Sequence, residues 1–227
     1  ETGTNLYAKS AALLKKVQCE MGGKNAVILL EDADIEKALK GTVQAAFGST
    51  GQRCTATSRI IIEKSIYEKA VERLIDLTSK LEIGRGLDSK TDVGPLSSES
   101  QFHKVTDYIS VGIKEGATLA IGGRQLSGGI YDDGLYIEPT IFTDVNPSMR
   151  IAQEEIFGPV LTVFNASDLN DAINISNKVK FGLSSSVYTK DLNRAFHYVN
   201  TVDAGMIHVN SPTLGGEVHL PFGGLKA

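Results

Sequence analysis

Three short stretches carry residue types capable of chemistry. Cys54 follows Gly51-Gln52-Arg53 at the end of an expected helix and precedes a threonine-rich segment. The thiolate is the nucleophilic form of cysteine, and an adjacent arginine with helix-end amides favours it. The competing reading is a small buried hydrophobe. Glu20 closes a strand-like run, Lys16 to Glu20, directly before Met21-Gly22-Gly23. A partly buried carboxylate facing a glycine turn can act as a general base, whereas the bland alternative is a surface acid beside a turn. Glu154-Glu155-Ile156-Phe157-Gly158-Pro159 sets two acids and an aromatic before another strand-like run, either as a site or as a turn with a buried Phe. Gly22-Gly23 lacks the spacing of either nucleotide fingerprint. His103, His197, His208 and His219 have no metal-ligand spacing with one another or with a cysteine, so no metal is assigned.

Elements must hold these stretches in place. From Ser65 to Leu81, Ile66, Ala70, Leu74, Leu77 and Leu81 fall on one face, and Ser65 with Glu68 forms a capping box, so a helix is expected. A second helix is expected from about Ser98 to Glu115, with Ser98 and Gln101 at its start and Gly116 at its end. Asp32-Ala33-Asp34 opens a third, reaching toward Phe47. Strands are expected at Ala26 to Leu30, Arg59 to Glu63, Val160 to Phe164, Ser185 to Tyr188 and Met206 to Val209. Gly122 to Gly134 reads as a surface loop. Alternating helices and nearly continuous apolar strands give an α/β fold with a largely parallel sheet flanked by helices.

Composition narrows the class. The 227 residues suffice for a real core, and 41% hydrophobic with 22% charged residues is ordinary for a globular protein. Net charge is -4 with no Lys/Arg run, which argues against a nucleic-acid partner. No apolar stretch approaches the roughly 20 residues needed to span a bilayer, and no signal peptide is legible, so no membrane association and a cytoplasmic location are expected. Cys19 and Cys54 are too few for a disulfide framework. The first residue is Glu1 rather than Met, which suggests a piece of a longer chain.

Taken together, Glu20-Met21-Gly22-Gly23-Lys24-Asn25, Gly51 to Cys54, Glu154 to Pro159 and Pro221-Phe222-Gly223-Gly224, in that order, resemble the aldehyde dehydrogenase superfamily. Asp92-Val93-Gly94-Pro95, Glu138-Pro139-Thr140 and Gly205 to Asn210 extend the resemblance over nearly the whole chain. The resemblance implies oxidation of an aldehyde to a carboxylic acid with NAD or NADP, through a thiohemiacetal and a thioester on Cys54. Glu20 would deprotonate the hydrolytic water, and the backbone N–H of Cys54 would help to hold the oxyanion. It also implies that Glu155 binds the nicotinamide ribose, that Phe157 lies beside that ring, and that the Met21 backbone approaches its carboxamide. Phe222 would line the substrate tunnel, Arg53 would influence substrate choice, and Cys19 would be a packed strand side chain.

Gly3 matches the last glycine of the family's cofactor motif, so residues 1–20 read as the remnant of a cofactor-binding domain with its lead-in strand, and residues 21–227 as the catalytic domain. On that reading this piece lacks dehydrogenase activity by itself, and its parent is a homo-oligomer, a dimer or tetramer. Phe47 to Arg59 and His208 to Pro212 look similar to 2-oxoglutarate semialdehyde dehydrogenases, whose substrates carry a carboxylate that Arg53 could pair with. The competing functions are a cysteine-dependent esterase and a catalytically inert structural module.

Overall fold

The computed structural model describes residues 2–216 and 218–226. Its elements run α1 (Thr2–Ala11), β1 (Asn25–Leu29), α2 (Ile35–Phe47), β2 (Thr57–Glu63), α3 (Tyr67–Ser79), α4 (Glu99–Lys114), β3 (Thr118–Ile121), β4 (Thr140–Thr143), α5 (Arg150–Gln153), β5 (Val160–Ala166), α6 (Leu169–Asn177), β6 (Ser184–Tyr188), α7 (Leu192–Thr201) and β7 (Met206–Val209). The strands form one seven-stranded sheet in the order β3-β4-β5-β2-β1-β6-β7. All neighbours pair in parallel except β3 with β4.

The apolar strand runs have a direct cause. Along β1, Ala26 and Ile28 enter one core with Val105, Ile109 and Tyr198, while Val27 and Leu29 enter another with Leu39, Phe47 and Leu74. Both pleat faces are thus covered by helices, so no position on the central strands can be polar merely because it faces water. The five expected strands and the α/β class hold. The edge pair β3 and β4 escaped sequence reading because each has only four residues, and β3 is largely exposed.

Two local expectations are corrected. Lys16 to Glu20 forms no strand. Ser65 does not cap α3: that helix starts at Tyr67 without a side-chain cap, and the Ser65 hydroxyl donates instead to Glu31 Oε2 at 3.1 Å. The other two starts behave as expected, with Asp34 accepting from the Lys37 N–H and Ser98 from the Gln101 N–H. Asp168 and Asp191 likewise cap α6 and α7, two helices not anticipated. Helix α1 was also missed, and it buries only Gly3. Among the described residues no helix is long and apolar enough to cross a membrane.

Arg59 is a charged side chain buried inside the sheet. Only 3% exposed, it donates from Nε to Lys24 O, from Nη1 to Ile175 O and from Nη2 to Ser176 O, at 2.9, 3.0 and 2.9 Å. It therefore ties β2 to the end of α6 and to the segment entering β1. Burial pulls its pKa down to about 9, which leaves it charged at neutral pH. Replacing Arg59 by Ala should destabilise the protein by about 3 kcal/mol or more, through stranded carbonyls and a cavity. Urea unfolding checks this, and a loss below about 1 kcal/mol would contradict it.

Candidate active site

The chemistry-bearing stretches all precede strands. Glu20 to Lys24 lead into β1, Gly51 to Ala56 into β2, Glu154 to Pro159 into β5, and Gly205 into β7. Because these strands are parallel, their amino ends share one edge of the sheet, and the topology gathers the stretches there.

The pivot is Gly22-Gly23-Lys24-Asn25. The Gly23 N–H donates to Glu155 Oε1 at 2.9 Å, and a side chain on Gly22 would run into the Glu155 carboxylate. A Cβ on Gly23 would lie 2.6 Å from the carbonyl oxygen of Cys54, so the approach requires glycine there. Asn25, 3% exposed, donates from Nδ2 to Cys54 O and Ala56 O, both at 2.8 Å, and accepts the Ser184 N–H at 3.1 Å. One amide thus joins the Cys54 turn to the start of β6. Sequence reading quoted Asn25 within a motif without giving it work. A short polar side chain at the head of an apolar strand was the available signal.

The Cys54 turn is strained and pinned. Ser49, Thr50 and Gly51 have φ of 55°, 58° and 66°. Gly51 also packs its Cα against the Gly158 carbonyl, where a side chain would not fit. Thr50 donates to Gly94 O at 3.0 Å, and Gln52 Oε1 accepts the Ser97 N–H at 3.0 Å. Ala56 N–H closes a turn on Arg53 O at 3.0 Å. Thr213, fully buried, donates to Thr55 O at 2.8 Å and meets Thr57 Oγ1 at 2.7 Å. Cys54 itself is half-buried with a free thiol, and Arg53 beside it is exposed.

The Glu154 to Pro159 segment is fixed from α4, where Gln101 Nε2 donates to Ile156 O and Phe157 O, both at 2.8 Å. Phe157 is half-buried with φ of 58°. Arg150 and Tyr108 both donate to Glu154 and hold it down at about 2, so Glu154 is spoken for as a structural anion.

Glu20 is exposed, so the described residues do not supply the partial burial expected of it. Gln18 Nε2 donates to it at 2.7 Å, and it lines a small hollow with Cys19, Met21, Gly182 and Gly224. Met21 is 46% exposed, and its thioether rests on Gly3, which is buried in α1. Cys19, half-buried and unpaired, lies in irregular chain instead of the expected strand. Phe222 lines an open cleft of about 770 Å³ along β7 with His208, Leu214 and Leu220, but Cys54, Glu20 and Glu155 do not line it. The structure therefore joins Cys54, Glu155 and the Gly22-Gly23 turn directly and places Glu20 two residues before that turn on the same entry to β1, where the Gln18 amide donates both to Glu20 Oε1 at 2.7 Å and to the Phe222 carbonyl at 3.4 Å. Among the described residues no cluster of three or more His, Cys, Asp or Glu could hold a metal ion.

Glu155, with one oxygen on the Gly23 N–H, the exposed Met21 and the half-buried Phe157 thus lie on the entries to β1 and β5. The Aldehyde dehydrogenase family model matches residues 1–227, and the chain belongs to that family. It is 44% identical over 230 residues to the alpha-ketoglutaric semialdehyde dehydrogenase of Bacillus subtilis, covering 99% of this chain and 47% of that protein. It is 44% identical over 227 residues to the betaine aldehyde dehydrogenase of Brucella melitensis, covering 99% and 46%. The crystal structure of betaine aldehyde dehydrogenase from Staphylococcus aureus in complex with NAD+ matches with a TM-score of 0.94 at 36% identity, over 99% of this chain and 44% of that one. The chain thus spans about half the length of these relatives.

Asn25→Ala should cost about 3 kcal/mol, because it leaves two carbonyls and one N–H without their buried partner. It should also change the alkylation rate of Cys54 while leaving that of Cys19 alone. Thermal unfolding and peptide-resolved labelling check both, and an unchanged Cys54 rate would show that Asn25 does not hold the turn.

Proposed function

We propose that this chain is the catalytic portion of an NAD- or NADP-dependent aldehyde dehydrogenase acting on a semialdehyde that carries a carboxylate. The observation that carries the reading is the convergence of the Cys54 turn and Glu155 on Gly22-Gly23. Residues 21–227 are the catalytic domain, and residues 1–20, whose helix buries only Gly3, belong to a separate dinucleotide-binding unit.

Cys54 attacks the aldehyde carbon and holds it first as a thiohemiacetal and then as a thioester. The dinucleotide, when bound, supplies a hydride acceptor. The Cys54 N–H stabilises the developing oxyanion, a role that suits a backbone immobilised at its carbonyl by Asn25. Glu20, exposed at the neighbouring strand entry, takes a proton from the water that hydrolyses the thioester. Glu155 receives ribose hydroxyls, Met21 and Phe157 border the ring, and Phe222 borders the route of the substrate.

Identity alone does not choose the substrate, since relatives named for an anionic semialdehyde and for cationic betaine aldehyde are equally similar. Charge does choose. Arg53 is exposed one residue from the nucleophile, where a guanidinium attracts a carboxylate tail and repels a trimethylammonium group.

In the full-length protein, Cys54→Ala should abolish aldehyde-dependent cofactor reduction. Glu20→Gln should lower the steady-state rate by about 10²-fold or more while keeping a pre-steady-state burst. Ester turnover with no aldehyde oxidation would replace this reading by that of a hydrolase. We further expect kcat/KM for 2-oxoglutarate semialdehyde to exceed that for betaine aldehyde by about tenfold or more, and Arg53→Ala to erase most of that preference. Equal values in the unaltered protein would overturn the substrate assignment.

A further inference from the structure

Glu20 is exposed, and a long exposed carboxylate samples several rotamers unless a partner holds it. A general base works only from a defined position, so something must supply one. Among the described residues one side chain bonds to it: Gln18 Nε2 donates to Glu20 Oε1 at 2.7 Å. The cation that shares its hollow, Lys226, is committed elsewhere. Its ammonium donates to Asn177 O and Val179 O at 2.7 and 3.2 Å and pairs with Asp203 at 3.3 Å.

Gln18 is exposed as well, so its own direction needs a cause. The same nitrogen lies 3.4 Å from the Phe222 carbonyl, 204 positions along the chain. A side-chain amide has two N–H groups, one for each acceptor. The Phe222 carbonyl is a fixed mark. Directly after it, Gly223 lies against Gly205 so closely that a side chain on Gly205 would meet its carbonyl, and the Leu225 N–H donates to Gly182 O at 3.1 Å. Gly182 precedes β6 and Gly205 precedes β7, so this segment is tied to the amino edge of the sheet. Gln18 thus takes its bearing from that edge and passes it to Glu20.

We propose that Gln18 is the positioning residue for Glu20: its amide spans from the anchored Phe222 carbonyl to the Glu20 carboxylate and aims that carboxylate for thioester hydrolysis. This rests on the reading of Cys54 as nucleophile and Glu20 as base. In the step concerned, the water oxygen bonds to the acyl carbon, the water proton goes to Glu20, the carbon–sulfur bond breaks and Cys54 is left as the thiolate. Formation of the thioester does not draw on Glu20, so loss of the Gln18 amide slows hydrolysis and spares acylation.

The test follows the acyl-enzyme itself in the full-length protein. Enzyme in excess is mixed with 2-oxoglutarate semialdehyde, and separately with betaine aldehyde, in the presence of NAD or NADP. Samples are quenched at intervals, and acylated Cys54 peptide is quantified by mass spectrometry. Gln18→Met should slow loss of the acyl group about tenfold while its formation stays within about twofold. Gln18→Glu keeps the shape but sets an acceptor against the carboxylate, and should slow that loss at least as much. Gln18 is exposed, so neither substitution disturbs the core. In a Glu20→Gln background, Gln18→Met should add nothing, because a residue that acts through another has no effect once that other is gone. Unchanged hydrolysis in both Gln18 variants, or a Gln18→Met effect as large with Glu20→Gln as without it, overturns the Gln18 proposal and leaves the dehydrogenase reading standing. If neither aldehyde acylates Cys54 in the unaltered protein, both fall.

Discussion

The side chain of Asn25 is where the geometry of the site begins. Its amide donates to the carbonyls on either side of Thr55 and accepts from the first N–H of β6, so the amino ends of β2, β1 and β6 are held to one another by one buried group. Hydrophobic burial fixes how far apart the strands lie, but it is nondirectional and cannot fix how the turn that carries Cys54 is rotated. Directional bonds can, and a buried amide with its donors and acceptor satisfied is a stiff joint. The glycines before it follow from the same constraint, because Asn25 can reach the Cys54 turn only if Gly23 lets that turn come within van der Waals contact of the chain.

Open parallel sheets usually bind ligands beyond the carboxyl ends of their strands. Here that end is closed. Asp32 accepts from Thr189 Oγ1 and from the N–H groups of Lys190 and Asp191; although burial pushes its pKa up, these bonds hold it below the ordinary value. Arg194 bridges Glu31, Asp32 and Glu63 across the same edge. The carboxyl edge is therefore satisfied within the chain, whereas the amino edge carries a free thiol, an exposed carboxylate and a second carboxylate with acceptor capacity left over.

What could be read from the sequence follows the same division. Of the five expected strands, β1, β2 and β5 were legible because burial on both faces leaves a nearly continuous apolar signature, and Asp34 and Ser98 were legible as helix starts because capping is local. The supposed cap at Ser65 failed for a tertiary reason, since Glu31 from another segment claims that hydroxyl. Cys54, Glu155 and Glu20 stood out by residue type and setting, and the family resemblance gave them roles. The groups that position them did not stand out. Thr213 clamps the Cys54 turn at Thr55 from 158 positions away in the chain, and Gln101 holds Phe157 from 56 positions away. Neither has a local signature, because a threonine or glutamine at such a position reads as a solvated residue until the fold brings its partner to it.

The strain beside Cys54 shows how these remote clamps matter. A left-handed backbone costs a non-glycine residue roughly 1–2 kcal/mol, and Ser49 and Thr50 both adopt it, for a total of about 2–4 kcal/mol. Against this stand the bonds of Thr50 to Gly94, Ser97 to Gln52, Asn25 to Cys54 and Ala56, and Thr213 to Thr55, each contributing about 1 kcal/mol net. The two sums are comparable, so the turn holds its shape only while most of its clamps are in place, and those clamps come from the loop before α4, the head of β1 and the loop after β7. A thiol carried on such a turn keeps its direction because distant parts of the fold agree on it, which ties the orientation of Cys54 to folding of the whole sheet.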